Sequence, residues 1–176
     1  WFRAAFFLPT ITSAVAAATV WRWIYEPNFG LLNNFLYSVG VAHPPQWVSS
    51  PVWAMPGLII VGIWQRVGFQ MVIFLAGLQA IPQHLYEAAS IDGANWWARF
   101  RHITVPLISP TTFFVLVISV IESYQVFDQA FILTEGGPGY ATTTIVYYIY
   151  NYAFQFFKMG YAAAIAWVLF LIVFIL

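Results

Sequence analysis

Long apolar stretches, separated by polar segments, dominate the pattern of this chain. A membrane hydrocarbon core of about 30 Å needs roughly 20 predominantly apolar residues of helix to cross it. Four stretches meet or approach that length, and they are residues 4–24, 52–78, 105–127 and 160–176. Segments rich in Asn, Gly and Pro interrupt the apolar pattern, as at residues 27–50. The pattern predicts an all-α membrane protein, a polytopic transmembrane helical bundle with about four spans.

Composition supports a membrane environment and excludes several functions. Hydrophobic residues make up 62% of the 176 residues and charged residues only 7%, and a soluble domain of this size has too little interior to bury them. Six basic and six acidic side chains cancel, so no electropositive surface for nucleic acid is expected. Cysteine is absent, and the three histidines lack metal-ligand spacing. We therefore expect neither a nucleic-acid partner nor a bound metal.

No pattern typical of catalysis or nucleotide binding is present in the sequence. The glycine-rich segment at residues 136–139 lacks the Gly-Lys-Ser/Thr that completes a phosphate-binding loop. Ser, His and Asp form no recognisable nucleophilic set. A membrane-embedded enzyme would need an acid–base pair at one depth, and the only candidate pairs Glu122 with Arg66, a poor base. We expect that the chain is not an enzyme and holds no cofactor of its own.

The distribution of Lys and Arg predicts the orientation in the membrane. Three basic residues flank the spans on one side and two on the other; they are Arg3, Arg99 and Arg101 against Arg22 and Lys158. Basic residues are enriched in cytoplasmic loops. The loop at 80–104 is therefore predicted to be cytoplasmic, with the loops at 27–50 and 128–144 outside.

The cytoplasmic segment at 81–94 predicts a short helix that ends in a turn. Pro82 suits the first helical turn, and Gly93 supplies the left-handed position that ends it. A second helical piece, at 95–102, is expected before Pro106. Small side chains at the centre of one helix face suit docking into a groove on another protein. The alternative from composition is a helix that lies on lipid headgroups.

The same segment resembles the EAA loop of ABC importer permeases. Glu87-Ala88-Ala89 is followed after three residues by Gly93, and after nine more by Ile103-Thr104-Val105-Pro106, with Val105 where the family has Leu. The resemblance implies that this loop forms a coupling helix that inserts into a cleft of the cytoplasmic ATPase subunit. The coupling residues it implies are Glu87, Ala88, Ala89, Asp92 and Gly93.

Further matches widen the resemblance to nearly the whole chain. They are residues 28–33, 76–82, 134–138 and 160–164. Together they look like the sugar and glycerol-phosphate branch of these permeases, which usually has six spans. The first residues lack an initiating Met, and the last remain apolar at Leu176. Both ends are thus expected to be truncated, and the chain is expected to hold the last four spans.

Two ionisable residues are predicted at membrane depth, where each costs at least ~2.5 kcal/mol. Arg66 lies 14 residues before Ala80, and Glu122 lies 16 residues after Pro106. These separations correspond to roughly 21 and 24 Å of helix, so the two side chains can meet at one level. We predict a solute cavity with aromatic, amide and carboxylate groups, lined by Gln65, Arg66, Phe69, Glu122, Ser123 and Gln125. The alternative is an ion pair that only fixes helix packing.

The resemblance implies a multi-pass permease subunit of an ABC importer in the plasma membrane of a bacterium or archaeon. It would translocate a sugar or related polyol, driven by a separate ATPase dimer that binds the ATP. Its other expected partners are a second permease subunit in a heterodimer, an extracytoplasmic solute-binding protein and membrane lipid. The competing hypothesis is a membrane scaffold or assembly factor that transports nothing.

Overall fold

The computed structural model describes residues 2–176, and this part of the chain is built from helices. Nine α-helices are present in it: α1 Phe2–Ile11, α2 Ala14–Ile24, α3 Leu31–Ser38, α4 Ala54–Gln79, α5 Gln83–Ile91, α6 Trp96–Arg99, α7 Val105–Tyr124, α8 Ile145–Tyr150 and α9 Met159–Ile175. Three π-helical segments accompany them, at Phe100–Thr104, Ala130–Thr134 and Asn151–Gln155. The all-α architecture is the one the apolar pattern predicts.

Two helices are long and apolar enough to cross a membrane. They are α4, with 26 residues, and the continuous helix Trp96–Tyr124, with 29 residues, which joins α6 and α7 through a π-helical segment. The pair α1 and α2 adds a third if it is one broken span. The apolar helix α9 has 17 residues, at the lower end of the length that a span requires.

The first predicted span, residues 4–24, is not one straight helix. The chain bends by 104° between α1 and α2. Pro9 lacks an N–H donor inside α1, and the Thr12 hydroxyl donates to the Pro9 carbonyl oxygen at 2.6 Å. In a continuous helix that carbonyl would accept from the Ser13 N–H, so the local side-chain bond competes with the helix. The prediction of a single helix is corrected to two shorter ones.

The predicted separate helical piece at 95–102 is also corrected. The helix that begins at Trp96 continues without interruption to Tyr124. Pro106 would interrupt a regular α-helix because it lacks a donor and its ring crowds the carbonyl four residues earlier. Here the helix widens before the proline, and the Val105 N–H bonds the Phe100 carbonyl five residues back. The coupling segment and the third predicted span are consequently parts of one helix.

Glycines allow the long helices to approach closely. A Cβ on Gly68 of α4 would overlap the backbone of α1 at Phe6. A Cβ on Gly77 would lie 2.6 Å from the Thr111 hydroxyl of α7. Membrane helices associate through such small residues because lipid supplies no hydrophobic force between them. These contacts place α4 between α1 and α7.

The segment before α4 packs onto the outer end of the bundle through buried polar side chains. Tyr25 is fully buried, its ring stacks on Trp47 with centroids 5.6 Å apart, and its hydroxyl donates to the Gly57 carbonyl at 3.2 Å. Asn33 is only 3% exposed; it accepts from Trp47 Nε1 at 2.9 Å and donates to the Pro45 carbonyl. Each buried polar group is therefore satisfied, as the interior requires.

The chain turns back after α7 and returns to the end of that helix. The segment Ala130–Thr134 packs on α2, and Glu135 adopts a left-handed conformation with φ of 52°. The Tyr147 hydroxyl donates to the Glu135 carbonyl at 2.7 Å. The Thr144 hydroxyl donates to the Val126 carbonyl at 2.6 Å. This turn brings α8 beside the end of α7, where the polar residues of the spans are found.

Candidate functional site

Arg66 of α4 and Glu122 of α7 form an ion pair, with Arg66 Nε 3.2 Å from Glu122 Oε2. Their side chains are 34% and 37% exposed, so both remain partly open to their surroundings. Counting residues from the cytoplasmic ends predicted that the two would lie at one level, and the contact agrees. The pair considered as a packing element is formed, and the same two side chains also line a cavity.

The first cavity, of about 240 Å³, lies between α1, α4 and α7. Its lining is formed by Thr10, Arg66, Phe69, Gln70, Ile73, Val115, Ile118, Ser119 and Glu122. Gln70 Nε2 donates to Ser119 Oγ at 2.9 Å, and that hydroxyl donates to the Val115 carbonyl at 2.6 Å. The cavity thus combines apolar walls with a few fixed polar groups, as ligand sites commonly do.

The second cavity is larger, about 460 Å³, and lies toward the N-terminal end of α4. It is lined by Met55, Leu58, Ile59, Gly62, Ile63, Arg66, Val67, Gln70, Ser119, Ser123, Val126, Gln129 and Thr144. Arg66, Gln70 and Ser119 belong to both cavities, so the two spaces adjoin each other around the ion pair.

The third cavity, of about 220 Å³, has the most polar lining. Its residues are Ala14, Gln65, Arg66, Gln125, Val126, Phe127, Asp128 and Gln129. Gln129, only 7% exposed, donates from Nε2 to Gln65 Oε1 at 3.0 Å. Ala14 begins α2, so this cavity opens at the bend between α1 and α2. We refer to the three adjoining cavities, which share Arg66, as the cleft.

All six residues predicted to line a solute cavity lie in the cleft. Arg66 lines all three cavities, Phe69 and Glu122 the first, Ser123 the second, and Gln65 and Gln125 the third. What they bind stays a prediction. Among residues 2–176, no group of three or more His, Asp or Glu side chains is placed to hold a metal ion.

The sequence analysis missed six polar residues of the cleft: Thr10, Gln70, Ser119, Asp128, Gln129 and Thr144. Helical spacing could have found two of them. Gln70 lies four residues after Arg66, and Ser119 three residues before Glu122, so each shares a helix face with a predicted residue. Asp128, Gln129 and Thr144 follow the end of α7, where no periodicity indicates a direction.

The predicted coupling residues lie on and just after α5, a nine-residue helix with no buried residue. Gly93 has φ of 78°; its N–H bonds the Ser90 carbonyl at 3.1 Å, and the Ala94 N–H bonds the Ala89 carbonyl at 2.9 Å. This is the pattern by which a left-handed residue ends a helix. The prediction that Gly93 terminates this helix is confirmed, and Glu87, Ala88 and Asp92 lie exposed beside it.

Two side-chain contacts join α5 to the long helix Trp96–Tyr124. The Tyr86 hydroxyl lies 2.9 Å from the Thr104 hydroxyl, and Arg99 Nη1 donates to Ser90 Oγ at 2.8 Å. Glu122 lies on the same continuous helix, 18 residues beyond Thr104, or roughly 27 Å along its axis. A displacement of α5 therefore has a direct structural route to the cleft.

The fold and the cleft define a membrane protein with an exposed cytoplasmic helix tied to an intramembrane polar site. A family described as "Binding-protein-dependent transport system inner membrane component" matches residues 3–176, and the chain belongs to this family. The resemblance first noted in the EAA loop is confirmed. The members of this family are transport components and not enzymes.

Relatives from several organisms carry names from sugar transport. The chain is 42% identical to the Probable ABC transporter permease protein YesP of Bacillus subtilis, over 98% of this chain and 56% of the relative. It is 39% identical to the Trehalose/maltose transport system permease protein MalF of Thermococcus litoralis, over 97% and 57%. It is 37% identical to the Lactose transport system permease protein LacF of Rhizobium radiobacter, over 99% and 60%. The chain spans a little over half the length of these relatives.

Two solved structures share the fold. One is a bacterial ABC transporter involved in the import of the acidic polysaccharide alginate, with a TM-score of 0.86 and 31% identity over 99% of this chain and 62% of the other. The other is the bacterial alginate ABC transporter in complex with an alginate pentasaccharide-bound periplasmic protein, with a TM-score of 0.88 and 29% identity over 99% and 60%. The chain therefore has the fold of an ABC importer permease.

Proposed function

We propose that the chain forms part of the permease subunit of an ABC importer that carries a sugar or related polyol across the cytoplasmic membrane of a bacterium or archaeon. The observation that carries the proposal is the continuous helix Trp96–Tyr124, because it joins the exposed helix α5 to the polar cleft. Relatives named for trehalose, maltose and lactose transport support the solute class.

The chemistry of the cleft suits a polyhydroxylated solute. Amide groups of Gln65 and Gln125 and the hydroxyl of Ser123 supply both donors and acceptors. The Phe69 ring offers an apolar face against which the CH groups of a sugar ring can pack. Glu122 and Arg66 add a charged acceptor and a fixed set of donors at membrane depth. These six side chains are the proposed solute contacts.

The proposed energy source is a separate ATPase dimer, which binds ATP outside this chain. It would receive α5 in a groove, with Glu87, Ala88, Ala89, Asp92 and Gly93 at the contact. Movement of α5 would pass through the Tyr86–Thr104 contact to the long helix, and so reorient the cleft between the two sides of the membrane. A helix transmits such a shift because it is stiff along its axis.

The proposed assembly includes further chains and the surrounding lipid. A second permease subunit would complete the cleft on its open side and form a heterodimer with this one. An extracytoplasmic solute-binding protein would deliver the solute to the outer loops. The structural relative solved with a periplasmic protein supports this partner class.

The test is solute-stimulated ATPase activity of the full-length subunit, reconstituted with its partner permease, ATPase and binding protein. Gly93→Asp is expected to abolish the stimulation and weaken assembly, because it forces a side chain into a left-handed conformation at the coupling contact. Gly40→Asp is the matched control. Gly40 also has a positive φ, of 92°, and open space around it, but it lies in the predicted outer loop.

Loss of stimulation in Gly93→Asp with activity kept in Gly40→Asp supports the coupling role. Equal stimulation in Gly93→Asp and the wild type would contradict it. A complex that assembles but never responds to any solute would favour the scaffold hypothesis.

A further inference from the structure

Three ionisable side chains line the cleft, and their formal charges do not cancel. They are Arg66, Glu122 and Asp128. Arg66 and Glu122 neutralise each other across 3.2 Å. Asp128 is exposed to the third cavity and forms no ion pair with any of residues 2–176. With one positive and two negative groups, the lining carries a formal charge of −1.

We infer that Asp128 and Glu122 make the cleft select against anionic solutes, so that the sugar or polyol it carries is uncharged. The inference rests on the proposed function and specifies its substrate class. A carboxylate or phosphate on the solute would meet an arginine already paired with Glu122 and a second, unpaired carboxylate at Asp128. An uncharged hydroxyl, in contrast, can donate to either carboxylate.

The neutral part of the lining points the same way. The amides of Gln65 and Gln129 already bond each other at 3.0 Å, and Gln125 lies exposed beside them. Amide groups offer donors and acceptors in equal measure and so match hydroxyl groups, which also do both. Among residues 2–176, the cleft contains no basic side chain other than Arg66 that could compensate an anion. This separates the chain from an importer of acidic polysaccharide, although the fold is shared.

The position of Asp128 makes it a specificity-determining residue rather than a structural one. Its side chain is exposed, and replacement by Asn keeps its shape while removing the charge. At an effective dielectric near 20, two unit charges about 10 Å apart alter a binding constant about tenfold. Removing one carboxylate should therefore change the relative affinity for charged and uncharged solutes by about that factor.

The test is equilibrium dialysis with the full-length permease pair and its ATPase in nanodiscs, without the binding protein, so that only the cleft discriminates. The probes are radiolabelled maltose and lactose, each beside the carboxylate made by oxidising one primary hydroxyl. The variants are Asp128→Asn and Glu122→Gln. Glu135→Gln is the matched control, since its exposed side chain pairs with Arg22 outside the cleft and the charge change is the same.

The wild type is expected to bind the uncharged form about tenfold more tightly than its carboxylate. Asp128→Asn should reduce that difference to about twofold or less, and Glu122→Gln should favour the carboxylate, because it frees Arg66. Glu135→Gln should match the wild type. Equal binding of both forms by the wild type, or an unchanged ratio in Asp128→Asn and Glu122→Gln, would overturn the inference while leaving a sugar importer. Binding of no probe by any variant would overturn the proposed function itself.

Discussion

Removing one partner of the Arg66–Glu122 pair leaves a charge inside the bundle without its counter-ion. Removing both leaves two apolar side chains among apolar neighbours. We therefore expect Arg66→Met and Glu122→Met each to destabilise the full-length subunit, and the double variant to recover most of the loss. Methionine is the replacement in both positions because it is unbranched and adapts to the vacated space.

The magnitude follows from the separation and the exposure. At 3.2 Å and an effective dielectric near 20, the Coulomb attraction is about 5 kcal/mol, which is an upper limit. About a third of each side chain is exposed, so solvent screens the pair and desolvation offsets part of the attraction. We expect each single variant to lose about 2–4 kcal/mol of unfolding free energy and the pair to show a coupling energy of about 1–3 kcal/mol.

The assay is SDS-induced unfolding of the four proteins in mixed micelles, followed by circular dichroism. The double-mutant cycle isolates the pair because each substitution removes the same interaction. Additive losses, with the double variant as unstable as the sum of the two singles, would refute the reasoning. The two residues would then act independently, despite the contact between them.

Two further predictions concern packing. Gly68→Ala should cost about 1–3 kcal/mol in the same assay, because its Cβ overlaps the backbone of α1, whereas Gly160→Ala, in open space on α9, should be neutral or slightly stabilising. An undamaged Gly68→Ala protein would show that α1 does not lie against α4. Asn33→Ala should cost about 2 kcal/mol, because it leaves the buried Trp47 N–H without its acceptor, and exposed Asn34→Ala should lose under 1 kcal/mol. Similar stability of the two Asn variants would contradict the buried contact.

Much of the candidate site could be predicted from helical spacing. Arg66 and Glu122 lie on helices that begin or end near the cytoplasmic loop, so counting residues gave their common depth. The end of α5 at Gly93 was predictable too, because only glycine adopts a left-handed conformation at no steric cost. These features depend on local geometry, which the sequence specifies within a few turns of helix.

Other features required the folded chain. The bend between α1 and α2 depends on a hydroxyl at Thr12 that competes for one carbonyl, and an apolar window does not register it. The continuous helix Trp96–Tyr124 passes through Pro106 by widening, where a proline alone indicates an interruption. Asp128 and Gln129 reach the cleft only because the chain turns back after α7.

The sequence by itself determined the solvent, the helical class, the family and the identity of the coupling segment, because composition, period and motif spacing are properties of neighbours along the chain. Tertiary structure decided which polar groups share the cleft and which charge among them is left unpaired. Depth can be counted along one helix, but the side on which Asp128 faces Arg66 depends on how three segments pack, and no single segment contains that information.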